Sequence, residues 1–136
     1  MTVYVLDSSA VLRYIDREAG ADRMIAIFKT CIRRQAEVRI SAVQWGEVAG
    51  NLRKKVGASN QNRILDSLIP FELEIVPVSG GRAVRAAGLR VDRKISYADA
   101  FAVDLAMDSR DCVLVTADYG FKDVDDLARI DFLPLK

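Results

Sequence analysis

The sequence contains no histidine. This absence excludes Ser-His-Asp triads, histidine-liganded zinc and the general base that is commonest in enzymes. Catalysis by this chain must therefore use carboxylates. Cysteine is also scarce, with only Cys31 and Cys112. Both lie in apolar segments, which predicts two buried thiols in a reducing cytoplasm rather than a disulfide.

Long apolar runs and a net charge of one sign are missing as well. No segment approaches the roughly 20 apolar residues that a membrane span requires. The N-terminal MTVYVLDSS has no basic region before a long apolar stretch, so it predicts a first strand rather than a signal peptide. We expect a cytoplasmic protein without membrane contact. The 20 basic and 19 acidic residues give a net charge of +1, so polyanion binding would depend on local patches.

The composition is that of a folded domain, with 51% hydrophobic and 29% charged residues among 136. We expect a single domain over 1–136. Apolar runs predict strands that alternate with helices, and this order predicts an α/β fold. The expected architecture is a three-layer α/β/α sandwich around a mostly parallel sheet of four to five strands. The predicted strands are 3–6, 38–40, 73–78, 113–115 and 130–133. The predicted helices are 8–15, 22–35, 42–57, 59–69, 80–90 and 96–110. Ser8 or Ser9 is the predicted cap of the first of them.

Four acidic residues occur where such a fold would bring side chains together, beyond the carboxyl ends of the strands. Asp7 ends the first strand and Asp118 follows the fourth. Glu47 lies in the helix after the second strand, and Asp99 lies in the first turn of the helix before the fourth. Their neighbours in sequence are apolar or small, and no basic residue adjoins any of them. Their convergence would cost desolvation energy and cause mutual repulsion.

A divalent cation would remove that repulsion, and oxygen ligands of this kind suit Mg²⁺ or Mn²⁺. Such an ion provides a route to phosphodiester hydrolysis without histidine. Each acid also has a simple structural interpretation. Asp7 could cap the next helix, Glu47 could be solvated, Asp99 could complement a helix dipole, and Asp118 could stabilise a turn. The joint fit of all four to one site favours catalysis.

Two further acids, Asp104 and Asp108, share the helix of Asp99. At 100° per residue they point about 140° and 180° away from it. We therefore predict that both are solvated surface residues.

The motifs in order are DSSA from Asp7, SAV from Ser41 with Glu47 after it, DAFAVDLA from Asp99, and VTAD ending at Asp118. Together they resemble a VapC-type PIN domain, and the resemblance covers nearly the whole chain. It implies a Rossmann-like fold and a Mg²⁺- or Mn²⁺-dependent endoribonuclease, the toxin of a type II toxin–antitoxin system. It also implies a VapB-like antitoxin that blocks the site, and a homodimer.

On position match, the acidic catalytic and metal-binding roles fall to Asp7, Glu47, Asp99 and Asp118. Metal-activated water would attack the RNA phosphodiester, with Glu47 a candidate to orient the water. Ser9 and Thr116 match polar positions near the family's site and are candidate substrate contacts.

The helix predicted over 80–90 is basic. Its Arg82, Arg85, Arg90 and Arg93, with Lys94 just beyond, could hold RNA phosphates, and the alternative is a solvated helix face. Trp45 and Tyr97 each precede a site acid by two residues. Trp45 could stack on a base, although packing is the more common role of such a residue.

Rival functions remain open from the sequence. One is a non-toxin or catalytically inactive PIN-like domain that binds RNA or protein. A phosphate-signalling receiver domain would need paired acids after the first strand and a lysine after the last. A haloacid-dehalogenase-type phosphatase would need a second acid where Ser9 lies. Asp7 stands alone after the first strand and Lys136 is terminal, which disfavours the receiver domain, and Ser9 disfavours the phosphatase. The complete acidic set favours the nuclease over an inactive PIN-like domain.

Overall fold

The computed structural model describes all 136 residues, and its centre is a five-stranded parallel sheet. The strand order is β3-β2-β1-β4-β5, so β1 lies in the middle between β2 and β4. The apolar runs of β1 and β4, which are rich in Val and Leu, suit strands that are covered on both faces. The predicted α/β fold with a mostly parallel sheet is confirmed. The strands are β1 (Thr2–Leu6), β2 (Ala36–Ser41), β3 (Glu74–Val76), β4 (Cys112–Thr116) and β5 (Arg129–Phe132).

Helices cover both faces of the sheet, and each face has its own apolar core. One core lies among α1, α2, α3 and the sheet, and the other lies between α5 and the strands β1 and β4. Cys31 and Cys112 are buried in these cores as free thiols, as predicted. None of the helices is long and apolar enough to span a bilayer. The helices are α1 (Ser8–Asp16), α2 (Ala21–Ile32), α3 (Ala42–Asp66), α4 (Gly80–Arg93) and α5 (Tyr97–Ala106), with short 3₁₀ turns at Ile69–Phe71 and Tyr119–Val124.

The long helix α3 is interrupted at Gly57, where φ is 82° and ψ is 171°. Residues with a side chain rarely adopt this conformation, whereas glycine does so at little cost. The helix boundary predicted near this glycine therefore exists, although the two helical parts follow one another directly.

Helix α1 begins at a different cap from the one predicted. Ser8 and Ser9 were the expected caps, but both lie inside the helix. The cap is Asp7, whose carboxylate accepts a hydrogen bond from the Ala10 backbone N–H at 3.0 Å. Aspartate caps helices as well as serine does, and Asp7 is the last residue with extended backbone before the helix.

The prediction for Asp104 is wrong, because this residue is only 3% exposed. Its carboxylate accepts hydrogen bonds from Arg82 at 3.0 Å and from Arg85 at 2.7 Å, both on α4. The angle around α5 gave the direction of the side chain correctly. It could not show that α4 packs there and supplies two guanidinium groups. Asp108 remains exposed but also pairs with Arg82, at 2.6 Å.

Candidate active site

The carboxyl ends of β1 and β4 carry the first two predicted acids. Leu6 and Val115 are partners in the parallel ladder, and the Asp7 backbone N–H donates to the Val115 carbonyl at 3.3 Å. Asp118 follows β4 closely and caps the next 3₁₀ turn through the Gly120 N–H at 2.8 Å. The topology therefore brings residues from opposite ends of the sequence together at the carboxyl end of the sheet.

The Asp7 carboxylate is 3% exposed and fully engaged in hydrogen bonds. One oxygen accepts from the Thr116 hydroxyl at 2.6 Å, and the other accepts from Ser9 Oγ at 2.7 Å. Burial raises the pKa of Asp7 to about 6. The hydrogen bonds from Thr116 and Ser9 lower it, and the negative charge of Asp99 raises it further. An acid held in this way gains from a nearby cation, which would stabilise its charged form.

The raised pKa makes the metal-free protein less stable as pH increases. Because folded Asp7 binds its proton more tightly than an unfolded aspartate, with an ordinary pKa of about 3.9, stability falls as pH rises through about 4 to 6. The expected loss for this group is about 3 kcal/mol. Urea unfolding in chelator at several pH values measures it. Asp7→Asn should remove most of the decline, and an identical pH profile in this variant would contradict the assignment to Asp7.

Asp99 is the acid that links the other three. Burial raises its pKa first and the charge of Asp118 raises it further, while hydrogen bonds from the Ser96 and Gln44 side chains oppose the shift. Its own charge in turn raises the pKa of both Asp7 and Glu47. The structure thus places Asp99 within electrostatic reach of each of the other three predicted acids.

Glu47 is the most open member of the set besides Asp118. It lies in α3 and accepts a hydrogen bond from Ser8 Oγ at 3.3 Å, across the gap between α3 and α1. Partial burial raises its pKa, and the charge of Asp99 adds to this. A solvent-facing carboxylate next to the half-buried Asp99 is available to a water molecule or a substrate.

None of these four acids forms an ion pair with a lysine or an arginine. Their chemistry fits a hard divalent cation, because every donor is an oxygen and no positive side chain competes for them. No three acidic side chains are arranged as a preformed cage for a metal ion. A cation would therefore have to draw the carboxylates together as it binds.

Gln44 is a site residue that is absent from the set predicted from sequence. Its side chain is completely buried. Its Oε1 accepts from the Ser8 N–H at 2.7 Å, and its Nε2 donates to the Ala98 carbonyl at 2.7 Å. One amide thus joins the starts of α1, α3 and α5, which carry or adjoin Asp7, Glu47 and Asp99. The available signal was a polar residue on the helical stripe that continues with Val48 and Leu52, both buried.

Ser9 and Thr116 lie in the site, but their hydroxyl groups are turned toward the protein. Ser9 Oγ accepts from the Ala117 N–H at 2.9 Å, and Thr116 Oγ1 accepts from the Asp118 N–H at 2.9 Å. Together with their bonds to Asp7, these contacts fix the turn after β4 against the end of β1. These two residues contact the acids directly. Their contact with a substrate stays a prediction.

Three of the arginines proposed to bind RNA have acidic partners away from the four acids. Arg82 pairs with Asp104 and Asp108 near the far end of α5, and Arg85 pairs with Asp104. Arg93 pairs with Asp126 at 2.7 Å. These ion pairs account for the arginines without any phosphate, so their role in RNA binding stays a prediction with reduced support.

Trp45 is a partly buried packing residue. It packs against the apolar core between α3 and the sheet and lines a small cavity with Leu65, Leu68 and Leu73. The packing interpretation of this residue is confirmed.

Comparison with known proteins was made by sequence and by structure. The family model described as PIN domain matches residues 4–127. No curated protein matches the sequence. Among solved structures, VapBC2 from Rickettsia felis, bound to a DNA fragment from its promoter, superposes with a TM-score of 0.75 at 18% identity and covers 98% of this chain and 100% of that one.

Two further solved structures share the fold. A toxin–antitoxin complex from Klebsiella pneumoniae has a TM-score of 0.71 at 20% identity, over 94% of this chain and 95% of that chain. FitAcB from Neisseria gonorrhoeae has a TM-score of 0.69 at 19% identity, over 94% and 96%.

Proposed function

The chain belongs to the PIN domain family, and from this membership we propose that it is a metal-dependent endoribonuclease that acts as a VapC-like toxin. The observation that supports the proposal most is the acidic set at one sheet edge. Asp7, Glu47 and Asp99 have raised pKa values, and no basic side chain pairs with them or with Asp118. A nuclease that lacks histidine needs carboxylates in such an arrangement.

In this proposal Asp7 and Asp99 would hold the metal ion, and Glu47 and Asp118 would lie near it. A bound Mg²⁺ or Mn²⁺ would lower the pKa of a water molecule and neutralise charge on the phosphate. Thr116 and Ser9 keep the Asp7 carboxylate in one orientation through their hydrogen bonds. Glu47, which is exposed to solvent, orients the attacking water. Gln44 is a positioning residue because it fixes the helices on which these acids lie.

A cleavage assay tests this function directly. Single-stranded RNA should be cut in Mn²⁺ or Mg²⁺ and left intact in chelator. An RNA that binds but stays intact under all metal conditions would favour the alternative of a catalytically inactive PIN-like domain.

Metal binding should also be visible without any activity. Mn²⁺ at 100 times its dissociation constant should stabilise the wild type by about 2.7 kcal/mol, since only the folded state brings the ligands together. Thermal melting with Mn²⁺ and with chelator measures the shift. Asp7→Asn and Asp99→Asn should reduce it, whereas Asp126→Asn, an exposed acid paired with Arg93, should not. Coincident wild-type melting curves would argue against a metal site here.

We further propose a VapB-like antitoxin as partner and a homodimeric state. The structures that share this fold include two that are described as VapBC or toxin–antitoxin complexes. An antitoxin arginine entering the acidic site would satisfy the carboxylates in place of a cation. Co-expression with the product of the neighbouring reading frame, followed by purification of a complex, tests this partner.

A further inference from the structure

The C-terminal end of α4 carries two cations that have no carboxylate partner. Arg82, Arg85 and Arg93 on the same helix each pair with an aspartate. Arg90 and Lys94 are exposed and form no ion pair. No ion pair within the chain neutralises these two cations, so their charge is available to a polyanion.

The guanidinium of Arg90 lies over an aromatic ring. Its Cζ is 6.0 Å from the ring centroid of Tyr97, the first residue of α5. The Tyr97 ring packs against Phe101 with centroids 4.8 Å apart, and its hydroxyl donates to the Ala83 carbonyl at 3.4 Å. The residue is still 39% exposed. The exposed part of this ring and the guanidinium over it together offer a surface on which a nucleobase can stack.

This aromatic and basic surface adjoins the acidic set through α5. Tyr97 and Asp99 both lie in the first turn of α5, where residues two positions apart point to nearly opposite sides. Tyr97 therefore contacts α4, while Asp99 faces the side of Gln44 and Asp118. A single strand crossing the start of α5 would extend from the carboxylates to the ring of Tyr97.

We propose that Tyr97, Arg90 and Lys94 form a binding subsite for single-stranded RNA beside the carboxylates. This inference rests on the proposed ribonuclease function. Tyr97 stacks a base that flanks the cleaved bond, and the two cations contact adjacent phosphates. Stacking tolerates any base, and the phosphate contacts offset the repulsion between RNA and the acidic set. The subsite thus supplies affinity, while the acids supply the chemistry.

Binding of a short, labelled, mixed-sequence single-stranded RNA in chelator tests the subsite, because cleavage is then suppressed. Fluorescence anisotropy over a range of salt concentrations gives the affinity and its salt dependence. Tyr97→Leu should weaken binding about tenfold, whereas Tyr97→Phe, which keeps the ring, should bind like the wild type. Replacing Arg90 and Lys94 by glutamine should lower the log–log salt slope by about 0.7 for each phosphate that the variant no longer neutralises.

Arg110→Gln is the matched control, since Arg110 is an exposed arginine without an ion pair that lies just before the start of β4, at the other end of the sheet. It should leave the salt slope nearly unchanged. Each variant should keep the wild-type shift in melting temperature with Mn²⁺, and if Tyr97→Leu does not fold, the Arg90 and Lys94 variants decide alone. A wild type that cleaves RNA while these variants bind it normally would overturn the subsite only. A wild type that neither binds nor cleaves RNA would overturn both the subsite and the proposed function.

Discussion

Replacing Asp99 by asparagine should reduce RNA cleavage at least a thousandfold, which corresponds to about 4 kcal/mol of transition-state stabilisation. The charge of Asp99 raises the pKa values of Asp7 and Glu47, and the charge of Asp118 raises the pKa of Asp99. Removing its charge therefore weakens the attraction of all four groups for a cation. Single-turnover cleavage in saturating Mn²⁺ measures the loss. Urea unfolding of the same variant should show no loss of stability, because the substitution also removes repulsion.

Asp108→Asn is a suitable comparison, since Asp108 lies just beyond the other end of the same helix. It should cleave RNA at close to the wild-type rate. In a bacterial host, induction of the wild type should arrest growth, and Asp99→Asn should relieve the arrest at equal soluble protein. Arrest by a folded Asp99→Asn variant would mean that toxicity does not come from these acids.

Arg82→Ala should destabilise the protein by about 3 kcal/mol, because it leaves the Asp104 carboxylate buried with less compensation. Arg82 is 19% exposed in its side chain and lies between Asp104 and Asp108. After its removal Asp104 keeps only Arg85, which is largely exposed to solvent. The midpoint of urea unfolding measures the effect, with the slope expected to stay unchanged.

Arg93→Ala provides the contrast, because its partner Asp126 is exposed and such pairs contribute little. The double substitution Arg82→Met with Asp104→Leu should recover much of the lost stability, since replacing a buried ion pair by apolar residues is often neutral. Equal losses of unfolding free energy in Arg82→Ala and Arg93→Ala would contradict the claim that burial makes the Arg82–Asp104 pair important.

The sheet could be predicted from sequence because its central strands β1 and β4 are short apolar runs rich in Val and Leu. Such runs between helical segments leave few arrangements other than a covered parallel sheet. The position of Asp7 and Asp118 followed from the same rule, since the carboxyl ends of parallel strands lie at one edge. Gly57 was also visible as a helix boundary, because few other residues tolerate its backbone conformation.

Contacts between helices could not be predicted in the same way. The direction of Asp104 around α5 follows from helix geometry, but its burial depends on how α4 packs against α5. The ion pairs of Arg82 depend on the same packing. Without knowledge of these pairs, its position on a basic helix predicted RNA binding. The role of Gln44 could not be predicted for the same reason, since its two hydrogen bonds join it to α1 and to the start of α5. Pairwise contacts between distant segments leave no periodic signal in one sequence.

The pairing of β1 with β4 has a consequence for the order in which the protein acquires its activity during synthesis. The hydrogen bond from Thr116 to Asp7 joins residues 109 positions apart, so this part of the site is among the last to form. A ribosome that has made β1 and β2 holds a nascent chain in which one edge of β1 is still unpaired and Asp118 has not yet been added. Nascent chains, and fragments released by premature termination before β4, should therefore be harmless to the cell as nucleases. Their open strand edge should instead make them prone to aggregation.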